Sequence, residues 1–396
     1  MKTSTSWSTA IGGAQAVADA YANLEAKLGG RPTYLYCTFS GYDATVVADE
    51  LGRVAAGLPV HGGTSCQGVM TEAGFHGSDG LGLALFGLVD AEGSYGVGAA
   101  EIGVDPRAAA VAATQAALHH AERSGEAPAI VLLSAAPGCE ELLIEGIESL
   151  IGNKVPILGG SSADNTIAGH WRQIANGRAF ANAVVITVLF PSVETMYAFH
   201  SGYEPTAHRG RVTRAEGRVL SMIDGKPAAD VYNVWTSGAL RGVLGSANNI
   251  LALTTMAPLG RMVGTVGGVP YYRLSHPDRI RPDGSLTLFS TVHEGDELVL
   301  MHGTPTALVN RAGRVAAAAM KAYGASTEQV SGGFVVYCAG CMLAVRAHVG
   351  SVVLGISSTL PGVPFVGTFT FGEQGCFVGG ENRHGNLMIS VLLFGR

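Results

Sequence analysis

Charged side chains are scarce in this sequence of 396 residues, because Asp, Glu, Lys and Arg together make up 14% of it. The formal net charge is −6, and no Lys/Arg cluster resembles the basic patches that neutralise phosphates, so nucleic-acid binding is not expected. No apolar run reaches the roughly 18 residues of a membrane-spanning helix. The first residues lack the basic and apolar segments of a secretory signal. We therefore predict a cytoplasmic protein that binds neither nucleic acid nor membrane.

Cysteine is also rare. The six residues are Cys37, Cys66, Cys139, Cys338, Cys341 and Cys376. So few thiols in a chain of this length do not make a disulfide framework, and the simplest interpretation is a reducing compartment with buried, packed thiols. A functional role for any one of them needs a further argument from its position.

Apolar residues and glycine are abundant, at 47% and 56 residues respectively. The glycines are scattered and not periodic, which excludes collagen-like and linker sequences. The length predicts two or three domains, each large enough to bury a core of its own.

One order of elements recurs along the chain: an apolar strand, a helix, a strand that runs into a glycine turn, and further apolar strands. The first copy has these elements at 34–40, 43–56, 58–68, 81–89 and 94–103. The second copy has them at 129–136, 137–152, 155–165, 182–190 and 194–203. The third copy has its strands at 334–341, 363–375 and 386–395.

This repetition predicts an α/β fold built from strand–helix–strand–strand units. The helix of each unit joins two parallel strands by a right-handed crossover. The units form layered sandwiches of mixed sheets with the helices outside, because each sheet must bury its second apolar face. Between copies two and three, 212–235 reads as a hairpin followed by a helix from Pro227, 279–305 as inserted strands, and 306–324 as a helix.

Cys341 and Glu373 are the residues that this arrangement makes most interesting. Cys341 lies just after a strand, where a helix begins, and Glu373 lies in a glycine-flanked turn at the end of the next strand. The carboxyl ends of neighbouring parallel strands meet, so both side chains should face one pocket, with Glu373 as a base toward the thiol or toward a ligand. The alternatives are a cysteine that only packs and a carboxylate that accepts N–H groups of its own turn.

A metal set could be drawn from Cys338, Cys341, Cys376 and His384, since Cys-x-x-Cys is a common half-site for zinc. The second half of the set is not a matching pair, so we predict no metal. No Cys-x-x-Cys-His motif for haem attachment occurs either.

Small polar residues form a second candidate binding segment. Ser161, Ser162, Asp164 and Asn165 follow two glycines and could present N–H groups and hydroxyls to an anion. The alternative is an ordinary turn. The predicted ligand-binding set is completed by Cys338, Glu373, Asn382 and Arg383.

Several segments together resemble the FIST domain family. They are LGGSSADN at 158–165, VTRAEGRVLSMIDGKPAADVY at 212–232, RPDGSLTLFSTVHEGDELVLM at 281–301, YCAGC at 337–341, VPFVGTFTFGE at 363–373 and HGNLMISVLLFG at 384–395. The resemblance implies an N-terminal half over 1–210 with two copies and a C-terminal half over 211–396 with the third copy and the inserted strands. It also implies a sensor of a small-molecule ligand that acts with a separate kinase or cyclase. Haem is implied by the resemblance alone, and no cofactor is predicted from the residues.

Two departures from the family pattern change the expected chemistry. Cys338-Ala-Gly-Cys341-Met342 stands where the family tends to have Cys-x-x-Arg-Gly, and Gly372-Glu373-Gln374-Gly375-Cys376 stands where it tends to have Gly-Glu-Ile-Gly-Pro. An arginine is thus replaced and thiols appear. An alternative function is therefore a thiol-dependent hydrolase, lyase or transferase, with Cys341 or Cys376 as nucleophile and Glu373 or His384 as base. A scaffold without a small ligand is a third interpretation.

Overall fold

The computed structural model describes residues 1–266, 269–377 and 380–396. The first repeat unit begins at the N-terminus and runs strand, helix, strand, helix, strand, hairpin, strand. Its elements are β1 (Lys2–Ser8), α1 (Gly13–Leu28), β2 (Tyr34–Ser40), α2 (Ala44–Val54), β3 (Val60–Thr64), β4 (Val69–Thr71), β5 (Gly74–His76) and β6 (Gly82–Val89).

The second unit repeats this order. Its elements are β7 (Ser94–Glu101), α3 (Pro106–His120), β8 (Ile130–Ala135), α4 (Glu140–Ile151), β9 (Ile157–Ser161), β10 (Gln173–Ala175), β11 (Arg178–Phe180) and β12 (Ala183–Phe190).

The third unit is interrupted after its first strand, β13 (Thr195–His200), by an inserted sheet. The insertion contains β14 (Glu204–Glu216), β15 (Val219–Ile223), β16 (Lys226–Pro227), α5 (Ala228–Trp235), β17 (Asn248–Asn249), α6 (Leu251–Thr254), β18 (Leu259–Val266), β19 (Val269–Ser275), β20 (Pro277–Ile280), β21 (Leu286–Leu288) and β22 (Glu297–His302). The unit then resumes with α7 (Pro305–Ala322), β23 (Val330–Cys338), α8 (Ala339–Ala344), α9 (Val349–Thr359), β24 (Phe365–Thr370), β25 (Glu373–Phe377), β26 (Glu381–Gly385) and β27 (Ile389–Gly395).

Local sequence explains where the helices begin. Asp43, predicted as a cap, accepts the backbone N–H of Thr45 at 2.8 Å and starts α2. Asp105 and Thr304 cap α3 and α7 in the same way, and a proline follows each of them at the first helical position, where no N–H is needed. These caps set the ends of the crossover helices and hence the spacing between strands.

Each unit contributes a parallel pair to a sheet of its own: β2 with β3, β8 with β9, and β23 with β24. The hairpins, however, are exchanged in a ring. The first unit's β4–β5 joins β24 of the third, the second unit's β10–β11 joins β3 of the first, and the third unit's β25–β26 joins β9 of the second. Three six-stranded sheets result, and the exchange ties them together.

The apolar inner faces of the three sheets share one core, with Tyr34, Phe86, Leu132, Phe334 and Phe394 among its members. The helices lie on the outer faces, where α1 and α2 cover the first sheet and α3 and α4 cover the second. The prediction of mixed sheets in layers with helices outside is confirmed. No helix among the described residues is both long and apolar enough to cross a membrane.

The boundaries of the repeats differ from those expected. The strand predicted at 194–203 as the end of the second copy pairs with β27 and opens the third unit, and the strand at 94–103 likewise opens the second. Helices α1 and α3 and the exchanged hairpins were not predicted. The hairpins pair with strands that lie far along the chain, so local patterns do not reveal their exchange. The two-half division at residue 210 stays a prediction.

Candidate ligand cavity and thiol cluster

A cavity of about 810 Å³ lies where the second unit, the third unit and the insertion meet; we call it the main cavity. Its walls come from the segments that follow β8, β23 and β24, together with α6 and neighbouring parts of the insertion. The carboxyl ends of parallel strands are the usual place for a ligand in an α/β sheet. A volume of this size is typical of sites for small organic molecules.

Most of the wall is apolar. Leu251, Met256, Phe289, Leu343 and Phe371 are among its side chains. Trp171 also lines the cavity and meets the ring of Phe371 edge to face, with 6.1 Å between the centroids. A ligand bound here would bury apolar surface, which is the main source of affinity in pockets of this kind.

His276 and Asn386, two buried polar residues from different segments of the chain, meet in the cavity wall. Asn386 accepts the backbone N–H of His276 at its Oδ1, at 3.3 Å. The Nδ2 group of Asn386 is buried and has no hydrogen-bond partner within the described residues. An unpaired buried donor is costly, so this amide is suited to bind an acceptor atom of a ligand.

A second polar group in the cavity wall, formed around Glu140, is acidic overall. Glu140 lines the cavity and accepts from Arg218 at 2.6 Å, and Arg218 also donates to Glu141 at 2.7 Å. Burial opposes ionisation of Glu141, but His384, Arg218 and a backbone N–H lower the pKa of this carboxyl to about 2. Two carboxylates thus share one guanidinium, and the group favours a cationic or hydrogen-bond-donating part of a ligand.

The ends of β23 and β24 are adjacent, as predicted, because Cys338 pairs with Thr370. Cys338 ends β23 and lines the cavity, whereas Cys341 lies behind it and is fully buried. The Sγ atom of Cys341 is 3.4 Å from the hydroxyl of Tyr203. The thiol that meets the cavity is therefore Cys338, and Cys341 belongs to an internal cluster.

The internal cluster is built around Arg311 of α7, which is 1% exposed. Its guanidinium lies over the rings of Tyr337 and Tyr203, at 4.8 and 5.6 Å from their centroids. Its Nη1 donates to the carbonyls of Ser201 and Leu387. Within the described residues, its Nε and Nη2 have no hydrogen-bond partner. A buried cation of this kind requires a nearby anion.

Cys341 is the group that can supply this negative charge. Burial raises the pKa of a thiol, but the hydrogen bond from Cys338, the charge of Arg311 and the hydroxyl of Tyr203 outweigh burial and lower the pKa of Cys341 to about 6. Burial and the neighbouring Cys341 raise the pKa of Cys338 well above its ordinary value. The pair therefore shares one proton near neutral pH, with Cys341 as the thiolate.

Glu373 lies close to this pair but is engaged elsewhere. Its carboxylate accepts from the hydroxyl of Thr370 at 2.8 Å and from the backbone N–H of Met388 at 3.0 Å. Burial raises the pKa of Glu373 well above the ordinary value, and the charge of Cys341 adds to that effect. Among the described residues no hydrogen bond joins Glu373 to either cysteine, so its role as a base stays a prediction.

Cys376 and His384 are not arranged as a nucleophile and its base. Cys376 is next to Tyr197, on the face of β25 opposite to that of Glu373. Nδ1 of His384 is 3.1 Å from Nε2 of Gln374, and its Nε2 is 3.1 Å from the carbonyl of Phe289. Both ring nitrogens therefore have partners other than the thiol.

The predicted polar segment at 161–165 serves the fold. Ser161 donates to Glu140 at 2.7 Å, and Ser162 faces a small cavity between the sheets. Asp164 accepts four backbone N–H groups of the loop that follows it. Asn165 accepts the N–H of Gln67 at 2.6 Å. These contacts are those of an ordinary turn, which was the alternative interpretation of this segment, and binding of an anion here stays a prediction.

Asn382 and Arg383 also lie outside the walls of the main cavity. Asn382 accepts the N–H of Ile157 at 2.8 Å and donates to the carbonyl of Val155 at 3.0 Å, which joins β26 to the start of β9. Arg383 pairs with Glu381 at 2.7 Å. Of the predicted ligand-binding residues, the main cavity contains Cys338.

The four residues considered as a metal set in the sequence are not brought together among the described residues. Over 1–266, 269–377 and 380–396, no group of three His, Cys, Asp or Glu side chains could hold a metal ion, so Cys338, Cys341, Cys376 and His384 do not converge. His276 is the histidine of the cavity wall, and its Nε2 lies 3.2 Å from the carbonyl of Leu251. That nitrogen is not free to bind a haem iron.

Sequence reasoning missed the contribution of the insertion. His276, Thr255, and Leu251 and Ala252 of α6 line the cavity, yet nothing in the local sequence of 249–256 indicates a site. The site arises from the packing of the insertion against the repeats. One signal was present. The first turn of α4 is acidic, with Glu140 and Glu141, and the inserted hairpin is rich in arginine; Arg218 of that hairpin is the partner of both carboxylates.

Comparisons with known proteins place these features in context. An uncharacterized protein of Methanocaldococcus jannaschii is 37% identical over 78 residues, which cover 20% of this chain and 15% of that protein. The chain thus spans a small part of the curated relative that it matches. A solved structure of cyanuric acid hydrolase is 10% identical and covers 100% of this chain and 99% of its own, with a TM-score of 0.38. The PurLQS structure from Thermotoga maritima is 9% identical, over 76% and 72% of the two chains, with a TM-score of 0.22.

Family models match nearly the whole repeat region and the insertion. The FIST N domain matches residues 33–226, and the FIST C domain matches residues 228–376. The two matches together cover most of the chain, in the order that the sequence motifs predicted. The chain therefore belongs to the FIST family.

Proposed function

We propose that this protein binds a small organic molecule in the main cavity and acts as a FIST-type sensory module with a separate signalling partner. The observation that carries the proposal is the cavity of about 810 Å³ with an apolar wall at the carboxyl ends of β8 and β23. Family membership supports it, because the resemblance implies ligand sensing.

The polar groups of the wall define the class of ligand. The unpaired Nδ2 of Asn386 favours an acceptor atom, and Glu140 with its neighbour Glu141 favours a cationic or donating group. The ligand would therefore have an apolar, ring-sized body, a hydrogen-bond acceptor, and an amine or similar donor. Arg218 also lines the cavity, but its guanidinium is already paired with Glu140 and Glu141, which leaves the group with a net negative charge.

Signal transfer follows from the construction of the walls. Leu251 and Thr255 belong to the insertion, whereas Pro137 and Gly340 belong to the repeats. A bound molecule would contact both parts and would favour whichever relative arrangement gives it more contacts. A kinase or cyclase that contacts the insertion could then read the occupancy of the cavity.

Matched ring compounds test the binding proposal. Benzylamine, benzyl alcohol and benzoate should bind in this order of decreasing affinity, measured by ligand-observed NMR. Ala252→Trp should abolish binding, because residue 252 lines the cavity and is exposed, so the larger side chain fills space without disturbing the core. Leu253→Trp is the matched control, since this neighbour on α6 is 47% exposed and lies outside the wall. Equal binding by the parent and Ala252→Trp would contradict the proposal.

A thiol-dependent enzyme is the second candidate, and the position of Cys338 on the cavity wall favours it. The nucleophile that contacts a substrate would then be Cys338, with the Cys341 thiolate as the group that accepts its proton. Release of nitrophenolate from p-nitrophenyl acetate should stop in Cys338→Ser and persist in Cys376→Ser. If both variants are as active as the parent, this candidate function is wrong.

A further inference from the structure

We propose that Cys338 and Cys341 form a reversible disulfide, so that the main cavity contains a redox-active dithiol whose reduced form is stabilised by a buried arginine. The proposal is independent of which organic ligand the cavity binds. Its basis is geometric. Two cysteines lie three residues apart at the junction of β23 and α8. Cys338 is on the cavity wall, and Sγ of Cys341 lies 3.4 Å from the hydroxyl of Tyr203, whose ring has the guanidinium of Arg311 5.6 Å from its centroid.

The two sulfurs have the positions that exchange requires. Side chains three residues apart at the start of a helix are neighbours, within the separation that a disulfide can bridge. Sγ of Cys338 lies over the backbone of Gly340, since a side-chain Cβ at residue 340 would be in van der Waals contact with the sulfur, at 3.6 Å. A small disulfide can reach Cys338 from the cavity, whereas Cys341 is shielded and can attack only the sulfur of Cys338.

The reaction with a small disulfide, RSSR, proceeds in two steps. Cys338 passes its proton to the Cys341 thiolate and attacks one sulfur of RSSR, which forms a mixed disulfide and releases RS⁻. Cys341 then gives this proton to the departing thiolate and attacks Sγ of Cys338, so that the Cys338–Cys341 bond forms and the second RS group leaves as RSH. The protein loses two electrons and RSSR gains them, with RSH and RS⁻ as products.

Arg311 determines the direction of this equilibrium. In the reduced pair its buried charge has a thiolate nearby, and the hydroxyl of Tyr203, which donates to the carbonyl of Thr255 at 2.9 Å, lies 3.4 Å from the same sulfur. The disulfide carries no charge, so oxidation leaves the guanidinium without that anion. A pair whose reduced form is stabilised in this way is a strong oxidant. Oxidation should therefore lower the stability of this protein, the reverse of the usual effect of a disulfide.

Glu373 can replace the lost anion in part. It is buried within reach of the charges of both Cys341 and Arg311, and these two charges act on it in opposite directions. Once the thiolate disappears, ionisation of Glu373 becomes more favourable, because the attraction of Arg311 then acts without the opposing charge of Cys341. Arg311 and Glu373 should therefore affect the redox equilibrium with opposite signs.

Redox buffers of reduced and oxidised glutathione test the proposal with the full-length protein. After equilibration and alkylation, mass spectrometry of the peptide that contains Cys338 and Cys341 gives the fraction of intramolecular disulfide. We expect one disulfide within this peptide, fully reversed by excess reduced glutathione. Mixed disulfide at Cys338 alone, at every buffer ratio, would overturn the proposal because it would show that Cys341 cannot reach Cys338.

Variants then separate the role of the charge from that of the fold. Arg311→Met should favour the disulfide at least tenfold, equivalent to about 30 mV, and Glu373→Gln should disfavour it. Tyr203→Phe, which changes a single hydroxyl, should favour the disulfide severalfold and serves if Arg311→Met does not fold. Tyr337→Phe is the control, because its hydroxyl donates to Leu308 at 2.8 Å. Identical equilibria in the parent, Tyr203→Phe and Arg311→Met would contradict the assigned role of Arg311.

Discussion

Two cysteines occupy matching places in two repeat units and have opposite properties. Cys139 follows β8 at the start of α4, and Cys341 follows β23 within the first turn of α8. Burial and the carboxylate of Glu140 raise the pKa of Cys139 to about 11. Burial also opposes ionisation of Cys341, but the hydrogen bond with Cys338, the charge of Arg311 and the hydroxyl of Tyr203 outweigh it and lower the pKa to about 6. Position in a repeat therefore does not determine thiol chemistry; the charge brought by other elements does.

The neighbouring charges come from parts of the chain that differ between the units. Near Cys139 the acidic first turn of α4 supplies two carboxylates and the insertion supplies Arg218. Near Cys341 the cation comes from α7, the helix that precedes β23, and the hydroxyl comes from Tyr203. The same fold thus holds a protonated thiol in one unit and a thiolate in another.

Removal of Arg311 should have the largest effect on this contrast. Arg311→Met takes away the cation and leaves the carbonyls of Ser201 and Leu387 without a donor, which should lower the free energy of unfolding by about 2–4 kcal/mol. Arg314→Met is the control, because Arg314 lies on the same helix but is exposed, and it should change stability by less than about 0.5 kcal/mol. Urea unfolding measures both. Similar losses in the two variants would remove the special role of Arg311.

The second largest effect should be the dependence of the free energy of unfolding on pH, because ionisation of Cys341 contributes to it. The pKa of Cys341 in the folded state, about 6, lies below the ordinary thiol value of about 8.5. Its contribution is therefore fully present above about pH 8.5, shrinks as the pH falls, and is lost as the pH falls through about 6. It amounts to about 3 kcal/mol at most.

A comparison of the parent with Cys341→Ser isolates this contribution, because the other titrating neighbours are present in both proteins. These neighbours are Cys338, Tyr203, Tyr337 and Glu373, with Arg311 as the fixed cation. The difference in unfolding free energy between the two proteins should grow from pH 6 to pH 8.5. A constant difference across this range would mean that Cys341 does not titrate there.

The hydroxyl of Tyr203 should have a smaller effect. Tyr203→Phe removes the group that lies 3.4 Å from Sγ of Cys341, and a hydrogen bond to an ion contributes about 1.5 kcal/mol at the low end of its range. The pKa of Cys341 should therefore rise by about 1 unit. The ultraviolet absorbance of the thiolate against pH measures this shift, and Tyr337→Phe should leave the profile in place. An unchanged profile in Tyr203→Phe would show that the hydroxyl donates only to Thr255.

Cys139 should give the smallest effect of all. Its thiol is half-buried and caps α4 without a side-chain hydrogen bond. Cys139→Ser should therefore alter the free energy of unfolding by no more than about 0.5 kcal/mol and should leave ligand binding unchanged. A loss comparable to that of Cys341→Ser would mean that the two thiols are equivalent after all.

Sequence reasoning could predict what depends on local pattern. The strand at 34–40, the cap at Asp43 and the adjacency of the strand ends at Cys338 and Thr370 all follow from periodicity and connection rules, and the structure confirms them. The family was identified from the order of its motifs. Each of these features is determined by residues that are close together in the sequence.

Sequence reasoning could not predict what depends on distant contacts. The exchange of hairpins pairs β4 with β24, almost 300 positions later in the chain, and no local signal records it. The role of Arg311 could not be predicted either. In the sequence it is one position of an Ala-rich helix, α7, and its burial against Tyr203 and Tyr337 depends on how the sheets pack. The thiol chemistry therefore required the structure.

The titration of Cys341 tests the account most directly. The ultraviolet absorbance of thiolate should be followed against pH in the parent and in Cys341→Ser, with Cys139→Ser as the matched variant. The account predicts a single thiolate step near pH 6 in the parent and in Cys139→Ser, absent from Cys341→Ser. A parent that shows no thiolate below about pH 8, where ordinary thiols begin to ionise, would contradict the buried thiolate and the role of Arg311 beside it.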